Sequence, residues 1–469
     1  MIAAHWKPVV SKAAGPVYLA IADAIAADVA AGRLAPGTRL PPQRTLADQL
    51  GIDFTTVSRA YAEARRRGLV EGKVGQGTYI RAVAAAALAP AARSTLAAGN
   101  GGMVDMSMNL PPRFTDAALA AELWSTVSAL ETGGGLDLLM RYQEPGGSVR
   151  DRAAGVAWLS GRLPGATVER TLVCPGAQGA LLATLGVLAA PGDTVLVEPL
   201  SYPGLLSLAA HLRLRCLAVP SDAAGPLPDA FRAMCGTHTP RVFYTNPTLQ
   251  NPTSLTIPLA RRQALADIAR AQGVMIVEDD AYGALPRQPV PPFAALAPDI
   301  VYHIAGLAKC LAPALRIAYL VAPDTRAAAR LAGSLRATAA MASPLTAALA
   351  TRWIEDGTAH RVLDAIRDEA RARQHLAAGI LPPDAVTADP EGFHLWLRLS
   401  LPWTRGEFAA RLRTVGIGVV ASDAFAQANP PEAVRLGLGA PASRDDLVLG
   451  LRIVADLLDQ PPALSSLVV

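Results

Sequence analysis

Apolar residues recur at helical spacing near the start of the chain and then alternate as in short strands. One apolar stripe predicts a helix over residues 17–31, and two further helices are predicted over 43–50 and 55–67. Glycines follow each of these stretches, at the place where a helix usually ends. Residues 69–80 alternate and carry glycines, which indicates a small β-hairpin.

The pattern changes after a stretch rich in Ala, Pro, Ser and Gly over residues 82–105, which is typical of a linker. Beyond it, short apolar runs such as TVLVEP and VMIVED alternate with helical stretches, which predicts a mostly parallel α/β sheet. After about residue 360, long helical stretches precede three strand-like runs, which indicates a smaller α+β subdomain. The predicted fold is therefore multidomain: a mainly α domain over 1–81, a linker over 82–105, and an α/β domain over 106–469 with a small C-terminal α+β subdomain.

Composition supports large buried cores, because 51% of the 469 residues are hydrophobic and only 17% are charged. The net charge of +4 is uneven, since residues 1–81 alone carry +5 and the remainder −1. A basic head on a neutral body is the footprint of nucleic-acid binding, although a merely solvated surface fits the charge equally well. The four cysteines lack metal-ligand spacing, so we expect no metal site and no disulfide framework. No signal-like or membrane-spanning run is found, and we expect a cytoplasmic protein without a membrane partner.

Two short helices joined by a glycine turn, with hydroxyl residues opening the second, fit a helix-turn-helix. If Val57, Tyr61 and Ala64 face inward, the opposite side of the second helix is available to a DNA groove. Hydroxyl groups and first-turn amides there suit phosphate, and a glycine in the hairpin lets the wing approach DNA closely. The residues predicted to face DNA are Arg44, Thr55, Thr56, Ser58, Arg59 and Gly77. A helical interaction module that binds no DNA is the alternative.

A second constellation of residues lies in the α/β domain. Lys309 sits in the apolar run GLAKCLAPALRIAYL with Arg316 seven residues later, so an amine able to form an imine is paired with a phosphate-binding cation. Asp279 ends the buried strand VMIVED, at the sheet edge where ligands bind in α/β proteins. The run VCPGAQG combines a strand, a glycine turn and a helix, which offers amides to a phosphate. Taken singly, the lysine fits a surface position and the aspartate a helix cap or a metal ligand.

Both regions resemble known families. The run from PGTRLPPQRTLADQLG to GKVGQGTYI resembles the DNA-binding head of the GntR family almost end to end. The order of motifs over residues 106–469 resembles fold-type I pyridoxal-phosphate enzymes of the aminotransferase class I/II group. Together they resemble the MocR branch of GntR regulators, which implies a winged helix-turn-helix that binds double-stranded DNA, fused to an aminotransferase-like domain that binds pyridoxal 5'-phosphate.

The resemblance also implies roles for individual residues. The cofactor-binding set comprises Lys309 as the Schiff-base lysine, Asp279 at the pyridine nitrogen, Tyr282 and Asn251 at the ring oxygen, Tyr202 stacked on the ring, Ala177, Gln178 and Arg316 at the phosphate, and Tyr142 reaching the phosphate of a neighbouring subunit. Arg435 matches the arginine that binds a substrate carboxylate, and Asn109 is expected to line the substrate side.

The sequence departs from these families in two places. Asp53 and Phe54 stand where the GntR head often has Ser-Arg, which puts one expected DNA contact in doubt. Gly306 and Ala308 stand where the aminotransferases commonly have two serines before the lysine, so the phosphate site lacks at least one hydroxyl donor.

Two functions remain open at this stage. The first is a homodimeric transcription regulator that binds an operator with paired half-sites and senses an amino compound, or pyridoxal phosphate itself, through Schiff-base chemistry at Lys309. The second is a pyridoxal-phosphate-dependent aminotransferase with an accessory DNA-binding head. The fused head favours the regulator, while the intact lysine, aspartate and arginine leave transamination chemically possible.

Overall fold

The chain forms two compact units, Met1–Gly101 and Gly102–Val469. The computed structural model describes residues 6, 8, 17–30, 33–34, 37–66, 69–73, 77–80, 104–114, 116–132 and 140–460. No helix in these ranges is long and apolar enough to cross a membrane.

The helices of the described residues are α1 (Val17–Ala30), α2 (Gln43–Leu50), α3 (Phe54–Arg66), α4 (Ala117–Thr132), α5 (Val149–Leu159), α6 (Gly176–Leu188), α7 (Pro203–His211), α8 (Pro228–His238), α9 (Leu259–Gln272), α10 (Phe293–Leu296), α11 (Thr325–Ala339), α12 (Pro344–Glu355), α13 (Thr358–Ala378), α14 (Arg405–Thr414) and α15 (Arg444–Leu458).

The strands are β1 (Val70–Lys73), β2 (Gly77–Ile80), β3 (Val104–Asp105), β4 (Thr171–Cys174), β5 (Thr194–Val197), β6 (Arg215–Ala218), β7 (Ser221–Asp222), β8 (Gly225–Pro226), β9 (Val242–Thr245), β10 (Met275–Asp279), β11 (Val301–Gly306), β12 (Ala318–Val321), β13 (Val386–Ala388), β14 (His394–Arg398), β15 (Ile417–Gly418), β16 (Val420–Ala421) and β17 (Ala433–Gly437).

The described residues of the first unit form three helices and the antiparallel hairpin β1–β2, as the sequence pattern predicts. Ile21 and Ile25 of α1 are fully buried and pack with Val57 and Tyr61 of α3 in one apolar core. Gly51 ends α2 in the left-handed region, with a φ of 62°. The glycines at 32 and 68, predicted to end the other two helices, lie outside the described residues.

The second unit is built on a seven-stranded sheet in the order β4-β12-β11-β10-β9-β5-β6. All neighbouring strands are parallel except β12, which runs antiparallel to β11 and β4. Five of these seven strands, all but β6 and β10, are buried at every position, which explains why their sequences are continuous apolar runs. Helices cover both faces and enclose two separate apolar cores. The predicted mostly parallel α/β sheet is confirmed.

The C-terminal part forms a smaller antiparallel sheet in the order β13-β14-β17-β16, with α14 and α15 packed against it. This is the predicted α+β subdomain. The short strand β3 pairs in parallel with β15, and the Val104 amide donates to the Gly416 carbonyl at 2.8 Å. Residues 104–105 are thus tied to the second unit by backbone hydrogen bonds, and the predicted end of the linker at 105 is two residues too late.

Two glycines let the chain after β3 lie directly on β17. A Cβ atom at Gly437 would stand 2.4 Å from the Met108 carbonyl oxygen, and one at Gly439 would stand 2.0 Å from the Leu110 carbonyl oxygen. Both distances are too short for real contacts, so any side chain here forces the backbones apart. The stretch from Val104 to Leu110, which we call the entry segment, therefore has a fixed position against β17.

The close approach at Gly439 predicts that Gly439→Ala destabilises the second unit by about 1–3 kcal/mol, the usual effect of overpacking. Denaturant unfolding monitored by tryptophan fluorescence measures this effect. Gly406→Ala is the matched control, because Gly406 lies in the first turn of α14 and a Cβ there meets nothing within 4 Å. That control is expected to leave stability unchanged or raise it. Equal stability of both variants would contradict the fixed position of the entry segment.

Candidate functional site

A cavity of about 280 Å³ opens in the second unit at the carboxyl ends of β9, β10 and β11 and at the start of α6. This is the edge where open α/β sheets bind ligands. The predicted site residues that line it are Lys309, Asp279, Tyr282, Asn251, Tyr202, Ala177, Gln178 and Arg316. The structure therefore brings together eight residues from five separate segments of the sequence.

Lys309 follows β11 and is partly buried, and its Nζ donates to the carbonyl oxygen of Asn109. Burial lowers the pKa of Lys309 to about 8, helped by the positive charge of Arg435 and opposed by Asp279. Near neutral pH a larger share of this amine is uncharged than in an ordinary lysine, and the uncharged amine is the nucleophile. Lys309 is also the only lysine after residue 101, so a lysine imine in this unit has one possible position.

Asp279 is the last residue of β10, and its two carboxylate oxygens differ in their hydrogen bonding. Its Oδ2 accepts a hydrogen bond of 2.8 Å from the hydroxyl of Tyr244, whereas the buried Oδ1 has no hydrogen-bond partner among the described residues. Burial raises the pKa of Asp279 to about 6, and the neighbouring Asp280 adds to this effect. A cationic ring N–H placed at Oδ1 would satisfy the free oxygen and favour the charged carboxylate.

Asn246 is a site residue that sequence reasoning missed. Its amide nitrogen donates to the Asp279 carbonyl at 2.5 Å, and its Oδ1 accepts from the Asn251 amide at 3.0 Å. It thus joins the end of β10 to the loop that carries Asn251. The repeated Asn-Pro pair in TNPTLQNP was the available signal, and only the second pair was used.

Arg435 and Asn109 lie just behind the cavity wall and connect to residues that line it. Arg435 is only 6% exposed, and its Nη1 donates to Asn251 Oδ1 at 3.1 Å. Its Nη2 donates to the carbonyl oxygen of Ser107, while its Nε has no partner among the described residues. The Asn109 side-chain amide donates to the Tyr282 hydroxyl at 2.8 Å.

The far end of the cavity suits a phosphate. Gly176 opens α6 with a φ of 75°, and a Cβ there would stand 3.1 Å from the Arg316 guanidinium. The first amides of α6 and Arg316 therefore face the same space, and the guanidinium forms no ion pair or hydrogen bond with any described residue. The Gln178 side chain instead donates to the Gly204 carbonyl at 3.0 Å, so only its backbone is available to an anion.

Tyr142 does not reach the cavity of its own chain. It is 88% exposed and absent from the cavity lining, on the outer surface of the second unit. The structure therefore does not bring Tyr142 together with the other predicted cofactor-binding residues.

The first unit exposes the predicted DNA-facing side of α3. Val57 and Ala64 are fully buried, while Thr55 and Arg59 are exposed and Ser58 is half-buried. The Thr55 hydroxyl donates to the Asp53 carboxylate, which also caps the helix by accepting from the Thr55 amide at 2.7 Å. The predicted hydrogen bond from Thr55 to a phosphate would have to displace Asp53. The half-buried Thr56 hydroxyl has no such partner among the described residues.

Two arginines of this surface form cation–π contacts with aromatic rings. The Arg44 guanidinium lies 5.7 Å from the Phe54 ring centroid, and that of Arg59 lies 4.3 Å from the Tyr18 centroid. Gly77 has a φ of 113°, and a Cβ there would stand 2.7 Å from Arg39 Nε. Arg39 was not predicted, although it precedes the LPP turn, and it lies beside the wing glycine.

The chain is similar throughout its length to bacterial regulators. It is 30% identical to the uncharacterized HTH-type transcriptional regulator YdeF of Bacillus subtilis over 97% of both chains. It is 26% identical to the probable rhizopine catabolism regulatory protein MocR of Rhizobium meliloti over 65% of both chains.

Among solved structures, the second unit resembles LysN, an alpha-aminoadipate aminotransferase from Thermus thermophilus complexed with N-(5'-phosphopyridoxyl)-L-leucine. The TM-score is 0.69 at 25% identity, and the match covers 78% of this chain and 94% of LysN. The cofactor of this domain is pyridoxal phosphate. Its residues fit that group: the free Asp279 Oδ1 suits the ring nitrogen, the unpaired Arg316 beside the start of α6 suits the phosphate, and Lys309 suits the aldehyde.

The pKa of Lys309 near 8 predicts the pH dependence of cofactor attachment. The rate should rise as the amine loses its proton and level off above about pH 8, whereas an ordinary lysine levels off near about pH 10. Stopped-flow absorbance after mixing the cofactor-free protein with pyridoxal phosphate measures this rate, with Lys309→Ala as the control. A rate that still rises steeply between pH 9 and 10 would contradict the desolvated amine.

Each of the two units matches a different sequence family. Residues 17–80 match the bacterial regulatory proteins of the gntR family, and residues 125–449 match aminotransferase class I and II. With relatives of the same architecture among transcription regulators, the chain belongs to the MocR-type GntR regulators, in which a helix-turn-helix head is fused to an aminotransferase-like domain.

Proposed function

We propose that this regulator senses an amino compound, or pyridoxal phosphate itself, in the cavity around Lys309 and thereby changes how its heads bind an operator. One observation carries the proposal. Lys309 and Arg435, the two cations expected to hold a ligand's reactive and carboxylate ends, both donate to backbone carbonyls of the entry segment. The entry segment is the first described part of the chain after the DNA-binding head.

The proposed cofactor roles follow the contacts of each residue. Bound pyridoxal phosphate supplies an aldehyde that links covalently to an amine and a ring that withdraws electrons. Arg316 and the amides of Ala177 and Gln178 hold its phosphate, Asp279 holds its ring nitrogen, and Lys309 provides the amine. Tyr282 and Asn251 face its ring oxygen, and Tyr202 covers one face of the ring.

A ligand competes with the entry segment for both cations. A carboxylate at Arg435 forms a charge-assisted pair that a neutral carbonyl such as that of Ser107 cannot match. Attachment of pyridoxal phosphate would leave Lys309 with fewer N–H groups to offer Asn109, and an amino compound that took the aldehyde would release the lysine again, so that its own effect would fall on Arg435. We therefore infer that ligand binding loosens the entry segment, which is a differential interaction of the kind that a two-state switch requires.

The proposal includes a homodimer. The exposed Tyr142 supports it, because this ring can meet a phosphate only in another subunit's cavity. Two heads would then read paired half-sites of double-stranded DNA. In this proposal residues 1–81 form the head, the linker begins at 82, and the protein acts in the bacterial cytoplasm, where the DNA is.

An aminotransferase with an accessory head is the second candidate. It is favoured by Lys309 and Asp279, which line the cavity, and by Arg435, which lies just behind its wall. Keto-acid formation separates the two functions. Repeated turnover with a keto-acid acceptor supports the enzyme, whereas a ligand-dependent absorbance change without turnover, accompanied by a change in operator affinity, supports the regulator.

Titrations with pairs of ligands test the role of Arg435. Amino acids are compared with the amines that lack only the carboxylate, and the absorbance band of the cofactor-loaded protein is followed. In Arg435→Gln the amino acids should bind roughly 10- to 100-fold more weakly, the loss expected for a charge-assisted pair. The amines should bind as they do to the unaltered protein.

Arg398→Gln is the matched control for this titration, because Arg398 is exposed and lies on the neighbouring strand β14. It should leave both ligand classes unchanged. An equal loss for amino acids and amines in Arg435→Gln would contradict a carboxylate site at this residue.

The missing hydroxyls of the phosphate site predict a gain of function. Ala308 lines the cavity, so Ala308→Ser should bind pyridoxal phosphate up to about tenfold more tightly through one added charge-assisted hydrogen bond. Pyridoxal, which lacks the phosphate, is the internal control and should show no gain. Equilibrium dialysis with both compounds makes the comparison, and an equal gain for both would place the phosphate elsewhere.

A further inference from the structure

Phe54 is an apolar ring left in water at the start of α3. Its exposure is 42%, and it is not part of the buried core that joins the three helices of the first unit. A single exposed aromatic residue is common on protein surfaces and means little by its exposure alone. Its place is what distinguishes it, because the first residues of a recognition helix are those that meet base edges.

The neighbouring side chains leave part of the Phe54 ring available for contact with DNA. The Thr55 hydroxyl is engaged by Asp53, so the next residue along the helix is occupied within the protein. Arg44, from α2, lies over the ring at 5.7 Å, and its guanidinium forms no ion pair with a described residue. The Phe54 ring thus contacts the Arg44 guanidinium, and the exposed part of the ring is available to contact DNA.

The chemistry of the major groove supplies a match for such a ring. Thymine is the one base that presents a methyl group there, and apolar side chains including Phe recognise it by contact. An arginine held beside that contact can reach the adjacent phosphate, which positions the head without reading sequence. The pair then combines a base contact with a backbone contact.

We propose that Phe54 determines operator specificity by reading a thymine methyl in each half-site and that it positions Arg44 for the adjacent phosphate. The proposal rests on DNA binding by the first unit. It assigns to this chain a thymine preference at one position of the half-site, in place of the contact that an arginine at residue 54 would make.

The test begins with the full-length, cofactor-loaded protein and a pool of random DNA duplexes, from which bound sequences are selected. Each thymine of the enriched site is then replaced by deoxyuridine, which lacks only the methyl group. Fluorescence anisotropy should show one position per half-site where this change weakens binding roughly fourfold, the value of one buried methyl group.

Variants assign that effect to the ring. Phe54→Ala should bind the thymine and deoxyuridine duplexes equally, and Phe54→Leu should retain part of the difference, because leucine is apolar but does not hold Arg44. Tyr18→Leu is the matched control: it frees Arg59 in place of Arg44 and should keep the full thymine preference. Circular dichroism melting verifies that each variant is folded.

The outcomes distinguish thymine recognition by Phe54 from DNA binding by the first unit. A fourfold deoxyuridine effect of the same size in the unaltered protein and in Phe54→Ala overturns the assignment to Phe54. Sequence-specific binding that is not weakened by deoxyuridine at any thymine also overturns the assignment to Phe54. DNA binding by the first unit would still stand in that case. Failure to enrich any sequence would contradict DNA binding itself, and the proposal with it.

Discussion

Two desolvated cations, Lys309 in the cavity wall and Arg435 just behind it, both use backbone carbonyls of the same segment as acceptors. Lys309 donates to Asn109 and Arg435 donates to Ser107. The segment that carries both carbonyls pairs with β15 and packs against Gly437 and Gly439. Buried cations need partners, and here the partners belong to the chain that arrives from the DNA-binding head. The position of the entry segment therefore decides whether these two cations have hydrogen-bond acceptors.

Three polar groups of the site have atoms without a hydrogen-bond or ion-pair partner among the described residues. Asp279 keeps one oxygen unpaired, Arg435 keeps its Nε unpaired, and Arg316 has no acidic partner among the described residues. A ligand that fills these positions gains interactions that are already oriented and loses little by ordering the protein. The carbonyl contacts of the entry segment are the ones that this ligand replaces. Ligand binding can in this way remove hydrogen bonds that hold the entry segment and increase its mobility.

Much of this arrangement could be predicted from the sequence, because periodicity and spacing report on local structure. Helix α2 has the predicted bounds, and Lys309, Asp279 and Arg316 were found from the strands and turns around them. The contacts that cross between elements could not be found in this way. Tyr244 meets Asp279 from the neighbouring strand, and no spacing along the chain reveals that pair.

Backbone acceptors were missed for a related reason. The Ser107 carbonyl is present in every residue type, so its bond to Arg435 has no sequence signature. Strand β3 was assigned to the linker because two residues are too few for a pattern, and only its pairing with β15 reveals it. The Asp53–Thr55 hydrogen bond was likewise invisible, since it depends on which rotamer the threonine adopts.

We propose that a ligand carboxylate at Arg435 displaces the Ser107 carbonyl and thereby loosens the entry segment. Hydrogen–deuterium exchange of peptides that cover residues 104–110 tests it most directly, with the cofactor-loaded protein before and after addition of an amino acid that shifts its absorbance. Faster exchange is expected for the Val104 and Met106 amides, which donate to Gly416 and Gly418, and no change is expected in Arg435→Gln. Unchanged exchange in this segment, while the ligand alters operator affinity, would contradict the account.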